Sequence, residues 1–177
     1  MTDGSTAQTR WLAVATVSSI AMGVGVNSID VPGSMVWFQR HTGGLGTLDT
    51  QPLAGAVVVH ELLSRLGSEG RALYLREIVV FDIVFPIVLL AMVHLALLRV
   101  WSLSTARRLL VLPWAAFVVD LIENSCAAVL TITFPVELTP LANAIGWITA
   151  AKFALYAAGF VAVAAGLVAR LVTRAPR

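Results

Sequence analysis

Four stretches of this chain are apolar enough, and long enough, to cross a lipid bilayer. They lie at about residues 11–27, 77–99, 109–133 and 141–169. A helix spans the hydrocarbon core with about 20 residues. Inside that core each backbone N–H and C=O needs an internal partner, and segments of this length meet the demand as helices. The expected fold is therefore all-α: an integral membrane four-helix bundle in up-down order, forming a single transmembrane domain over residues 1–177. Composition agrees, with 12% charged residues and a mean hydropathy of +0.87, against about 25% charged residues in a soluble domain. The net charge of +2 is small and the basic residues are scattered, which excludes a nucleic-acid partner. The single cysteine, Cys126, excludes an intrachain disulfide and reads as a small buried apolar residue.

The arginines predict the orientation. With both termini and the turn at 99–108 in the cytoplasm, the inner side receives Arg10, Arg99, Arg107, Arg108, Arg170, Arg174 and Arg177, and the outer side Arg40, Arg65, Arg71 and Arg76. That division follows the positive-inside bias. The first segment is the shortest, and Arg10 ahead of it also resembles the start of a secretory signal. Ala21 and Gly23 approach a small-residue cleavage pattern without completing it, so the segment is read as a span.

The outer loop, about residues 28–76, carries its own signals. His41 to Gly46 reads as a flexible turn. Asp49 or Thr50 reads as the cap of an amphipathic helix over about 52–66, with Pro52 in its first turn. Gly67 ends that helix, and Ser68-Glu69 opens the next, which is expected to run through Tyr74 into the second span. The 52–66 helix is too short to cross and is expected on the outer surface, packed over the bundle rather than acting as a lid. Trp11, Trp101, Trp114 and Trp147 fall near the predicted interfaces, as membrane anchors do.

Within the spans, polar residues converge. Asp120, Glu123 and Asn124 follow i, i+3, i+4 spacing and share one helix face. Asp82 falls in the outer part of the second span, and Lys152, the only lysine, near the centre of the fourth. Lys152 is too deep to reach the headgroups, so a carboxylate partner is expected, Asp120 first and Glu123 second. Pro86 removes the helical bond to the Asp82 carbonyl. That oxygen is left either for a cation or water, or for repair by a neighbouring side chain. Polar contacts between membrane helices average only ~0.6 kcal/mol, whereas a charge at mid-membrane costs at least ~2.5 kcal/mol. The imbalance favours a functional role for the cluster over helix glue.

Other signatures are absent. His60-Glu61 lacks the second histidine of a zinc protease helix, the three histidines show no metal spacing, and Gly43 to Gly46 is not followed by a phosphate-loop lysine. No metal or cofactor is expected.

Two stretches resemble a group of small bacterial four-span membrane proteins of unassigned function. The first runs from Leu66-Gly67-Ser68-Glu69-Gly70-Arg71-Ala72-Leu73-Tyr74-Leu75 into Phe81-Asp82-Ile83-Val84-Phe85-Pro86. The second combines Asp120-Leu121-Ile122-Glu123-Asn124 with Ala151-Lys152-Phe153. The likeness covers roughly residues 47–156; the first span and His41 to Gly46 lie outside it. It implies a four-helix protein of the inner membrane and brings no activity, substrate or cofactor.

Three functions stay open from the residues. The cluster Asp82, Asp120, Glu123, Asn124 and Lys152 could bind or translocate a cation, a proton or the head group of an amphiphile. Asp120 or Glu123 could be the acid or base of an intramembrane enzyme on a lipid or isoprenoid, with Lys152 tuning it; the lack of a nucleophile weighs against this. The chain could also be an accessory subunit, its cluster setting register against a membrane-protein partner or a second copy. The lipid bilayer is the one partner common to all three.

Overall fold

The computed structural model describes residues 3–174. Arg177 and the Arg174 side chain, two of the arginines in the orientation reading, lie outside the described part. Six α-helices follow one another: α1 (Asp3–Ser28), α2 (Met35–His41), α3 (Ala56–Val100), α4 (Leu103–Leu109), α5 (Val111–Thr133) and α6 (Thr139–Arg174), with a 3-10 turn at Leu48–Thr50. No strand occurs among the described residues. Four helical stretches, Thr6–Ser28, Ala56–Val100, Leu103–Thr133 and Thr139–Thr173, are long and apolar enough to cross a membrane. The chain is a multi-pass, all-α membrane protein by that measure.

Helices α3, α5 and α6 pack against one another, whereas α1 packs mainly on α3. Asp82 of α3 meets Asn124 of α5, and His94 further along α3 meets Trp114, which comes earlier in α5. Between α3 and α6, Trp101 donates its indole N–H to the Ala162 carbonyl at 3.0 Å.

The core has two apolar layers. One lies at the end that carries the 29–55 loop and joins Phe38, Leu48, Leu62, Tyr74, Leu130 and Ile145. The other lies toward the 101–110 turn, where Leu90, Val93, Leu97, Ala106 and Ala116 are buried. Asp120, Glu123 and Asn124 of α5 and Thr149 and Lys152 of α6, all buried, fall between these layers.

The loop differs from expectation in three places. The helix expected over about 52–66 begins at Ala56, behind Gly55. Asp49 and Thr50 do not cap it: they belong to the 3-10 turn, which Thr50 closes by donating its hydroxyl to the Thr47 carbonyl at 2.8 Å. Asn143 of α6 takes over as cap, its side-chain oxygen accepting from the Ala56 N–H at 2.8 Å. The chain ahead of the helix is pulled down instead, because the Leu53 N–H bonds the Gly146 carbonyl at 2.8 Å. A Cβ on Gly146 would collide with the Ala54 backbone, so this approach requires glycine.

Nor is His41 to Gly46 a loose turn. It follows a helix absent from the sequence reading, α2, whose Ser34 cap accepts from the Trp37 N–H at 3.1 Å. Thr42 and Thr47 are buried, and Thr42 bonds the Gly46 N–H at 2.8 Å. Gly67 interrupts α3 with φ 63, a left-handed conformation that suits glycine. Val59, Leu62, Leu63 and Leu66 ahead of it are buried against the core. Past Gly67, α3 continues through Tyr74 to Val100.

Candidate functional site

Three helices and the 3-10 turn each contribute polar groups to one interior layer. Helix α5 brings Asp120, Glu123 and Asn124 to a single face, and all three are buried. Helix α6 answers with Thr149, Lys152 and Tyr156, spaced by three and four residues along one face. Lys152 bridges two carboxylates at once. Its ammonium lies 3.3 Å from Asp120 Oδ1 and in direct contact with Glu123 Oε2. The order of preference expected from depth is thus corrected, because Glu123 is the closer partner. One helical turn separates the two acids, which lets a single flexible ammonium reach both.

The remaining oxygens of that pair are also held. Tyr156 donates its hydroxyl to Asp120 Oδ2 at 3.1 Å, and Thr149 donates to Glu123 Oε1. Glu123 has no exposed surface. A buried charge is tolerable when it is both paired and hydrogen-bonded, and this triad meets both conditions.

Asp82 belongs to a second group. Its backbone carbonyl, freed by Pro86, does not stay open for a cation. Asn124 donates its amide nitrogen to it at 2.9 Å, so repair by a neighbouring side chain is the outcome. The Asp82 carboxyl makes no ion pair with Lys152; it lies against Glu77, within hydrogen-bonding reach on the same helix. Two atoms here are buried without a partner, Asp82 Oδ2 and Asn124 Oδ1. Both are acceptors.

The structure thus joins Asp120, Glu123 and Lys152 directly and links Asp82 to Asn124 through the backbone. Asp49, Tyr74, Glu77, Thr149 and Tyr156 are additions to the sequence reading. Asp49, at the 3-10 turn, accepts from the buried Tyr74 hydroxyl at 3.3 Å. Thr149 and Tyr156 were readable from their spacing to Lys152; Glu77 was not, because its i, i+5 spacing to Asp82 is not that of same-face neighbours. Asp49 had no local signal, because only the tertiary path of the loop brings it inward.

Electrostatically the layer is lopsided. The layer holds four carboxyl groups, Glu77, Asp82, Asp120 and Glu123, and one ammonium, Lys152. Among the described residues no group of His, Cys, Asp and Glu could hold a metal ion. A cavity of about 360 Å³ opens elsewhere, at the loop end beside His60, Phe134 and Glu137. The apolar layer of Leu63 and Leu130 separates it from the polar groups.

No family model, curated protein or solved structure matches the chain.

Proposed function

We propose that this chain is a small protein of a bacterial inner membrane, of the four-span kind it resembles, that binds a monovalent cation in competition with a proton at Glu77, Asp82 and Asn124. The observation that carries the reading is the surplus of acceptors. Asp82 Oδ2 and Asn124 Oδ1 are buried with no donor, and Asn124 is only 6% exposed. Glu77 and Asp82 lie together on one helix, and two carboxyl groups in contact need a donor between them. A proton supplies one, and a small cation supplies the same charge.

The Lys152 triad has a different role in this reading. Lys152, held by Asp120 and Glu123, fixes α6 against α5 and places Asn124 over the Asp82 carbonyl. The apolar layers on either side support an occluded site. Glu77 and Asp82 are half-buried, so the α3 flank is the open side.

An up-down order of the four spans accompanies this reading. It is supported by the opposite sequence order of the pairs Asp82–Asn124 and His94–Trp114. Both termini lie in the cytoplasm, on the side of Arg99, Arg107, Arg108 and Arg170. The test is thermal unfolding of the purified protein in detergent, titrated with sodium, potassium and ammonium at several pH values. At least one of these cations raises the melting temperature of the wild type, less so as the pH falls, and Asp82→Asn abolishes the response. A wild type indifferent to all three at every pH overturns the reading.

A further inference from the structure

A second cleft, of about 250 Å³, lies between α1, α3 and α6. Leu12 and Thr16 of α1, Ala96 and Arg99 of α3, and Phe160 and Leu167 of α6 line it. Its walls are apolar except for Thr16 and Arg99. The Thr16 hydroxyl is turned back to the Leu12 carbonyl at 2.8 Å, so it offers a ligand little. Arg99 is exposed, and among the described residues it makes neither an ion pair nor a hydrogen bond.

A second guanidinium, that of Arg170, does not line the cleft but is anchored to the backbone of Val100, a residue that does. Arg170 donates its Nε–H to the carbonyl of Val100, the residue after Arg99, at 3.0 Å. That single bond fixes the side chain and leaves its terminal nitrogens free of any ion pair among the described residues. The ion pairs found among those residues use Asp30, Glu61, Asp120, Glu123 and Glu137, none of which lies at this mouth. An apolar slot between spanning helices, with the unneutralised Arg99 in its lining and Arg170 bonded to the backbone of the next residue, has the polarity of an acidic lipid.

We infer that this cleft is a binding site for an anionic phospholipid, one acyl chain lying between α1 and α6 and the phosphate held by Arg99 and Arg170. Guanidinium groups match phosphate oxygens in geometry as well as in charge. Basic pockets between membrane helices are suited to such head groups. The occupant also accounts for how α1 is held. That helix buries little besides Ala15 and Ser19, so a lipid chain supplies contact that protein side chains do not. The inference requires the helices to cross a bilayer and does not depend on the cation reading.

Native mass spectrometry of the full chain tests it. The protein is released from vesicles holding equal amounts of phosphatidylglycerol and phosphatidylcholine. The wild type retains one phosphatidylglycerol in preference to phosphatidylcholine. Arg99→Gln, a change at an exposed side chain, lowers that preference by about fivefold. Arg107→Gln, an equally exposed arginine of the same turn region, leaves it unchanged. Ala96→Phe, which fills the slot, lowers retention of both lipids. A wild type without preference overturns the site, and so does an equal loss from Arg99→Gln and Arg107→Gln, which signals diffuse attraction to the protein's basic end.

Discussion

Pro86 has no N–H to offer, and the Asp82 carbonyl it leaves free is taken by Asn124, whose amide nitrogen lies 2.9 Å away. The two residues should therefore be coupled. Asn124→Ala strands a buried carbonyl and lowers stability by ~1 kcal/mol. In a Pro86→Ala background the helix regains its own N–H, and the same change costs less. A double-mutant cycle on unfolding in detergent reads the difference; additive effects would argue that the bond carries no energy. Lys152 is the other decisive residue. Lys152→Met leaves the fully buried Glu123 without its cation and lowers stability by ~3–5 kcal/mol. Adding Glu123→Gln to that variant restores part of the loss, and a further fall would contradict the pairing. Most of this site was legible from residue type and spacing. Asp120, Glu123 and Asn124 repeat at helical intervals, and a lone lysine at mid-span needs an acid. Which acid lies closer was not legible, because side-chain reach depends on how α5 and α6 are rotated against each other.

At the scale of elements, membrane helices announce themselves because the bilayer sets both their length and their composition. The loop obeys no such rule, and there the start of the amphipathic helix and its cap were misplaced, although Gly67 does break the helix where expected. Helix α2 has seven residues, too few for periodicity to register. The amphipathic helix starts at Ala56 and not near residue 52 because Leu53 bonds to Gly146, more than ninety positions away in the chain. Tertiary pull of this kind leaves no local trace. It also makes Gly146 a point of strict demand, since a Cβ there meets the Ala54 backbone. Gly146→Ala should lower stability by ~1–3 kcal/mol through overpacking. It should also loosen the 3-10 turn that holds Asp49 beside Tyr74. Faster backbone amide exchange at residues 47–55, with unchanged exchange in the middle of α5, is the expected signature. Unaltered exchange in the loop would mean that its seat on α6 is unimportant.

Across the whole molecule, charge is sorted by end. Arg99, Arg107, Arg108 and Arg170 gather near the 101–110 turn without carboxylate partners among the described residues, while the ion pairs of Arg40, Arg65 and His60 sit at the loop end. In a Cys126→Ala background, a membrane-impermeant thiol reagent added to intact cells should label Glu137→Cys and spare Ser104→Cys. The reverse pattern would invert the topology. Between these ends apolar side chains lie on either side of the acceptor-rich layer, and the proposed reading is that the layer holds a charge rather than conducting it. The most direct test of that claim is proton release on cation binding. In weakly buffered detergent solution, the stabilising cation should expel protons from the wild type and none from Asp82→Asn. Equal release from both proteins, or none from the wild type, would contradict the account.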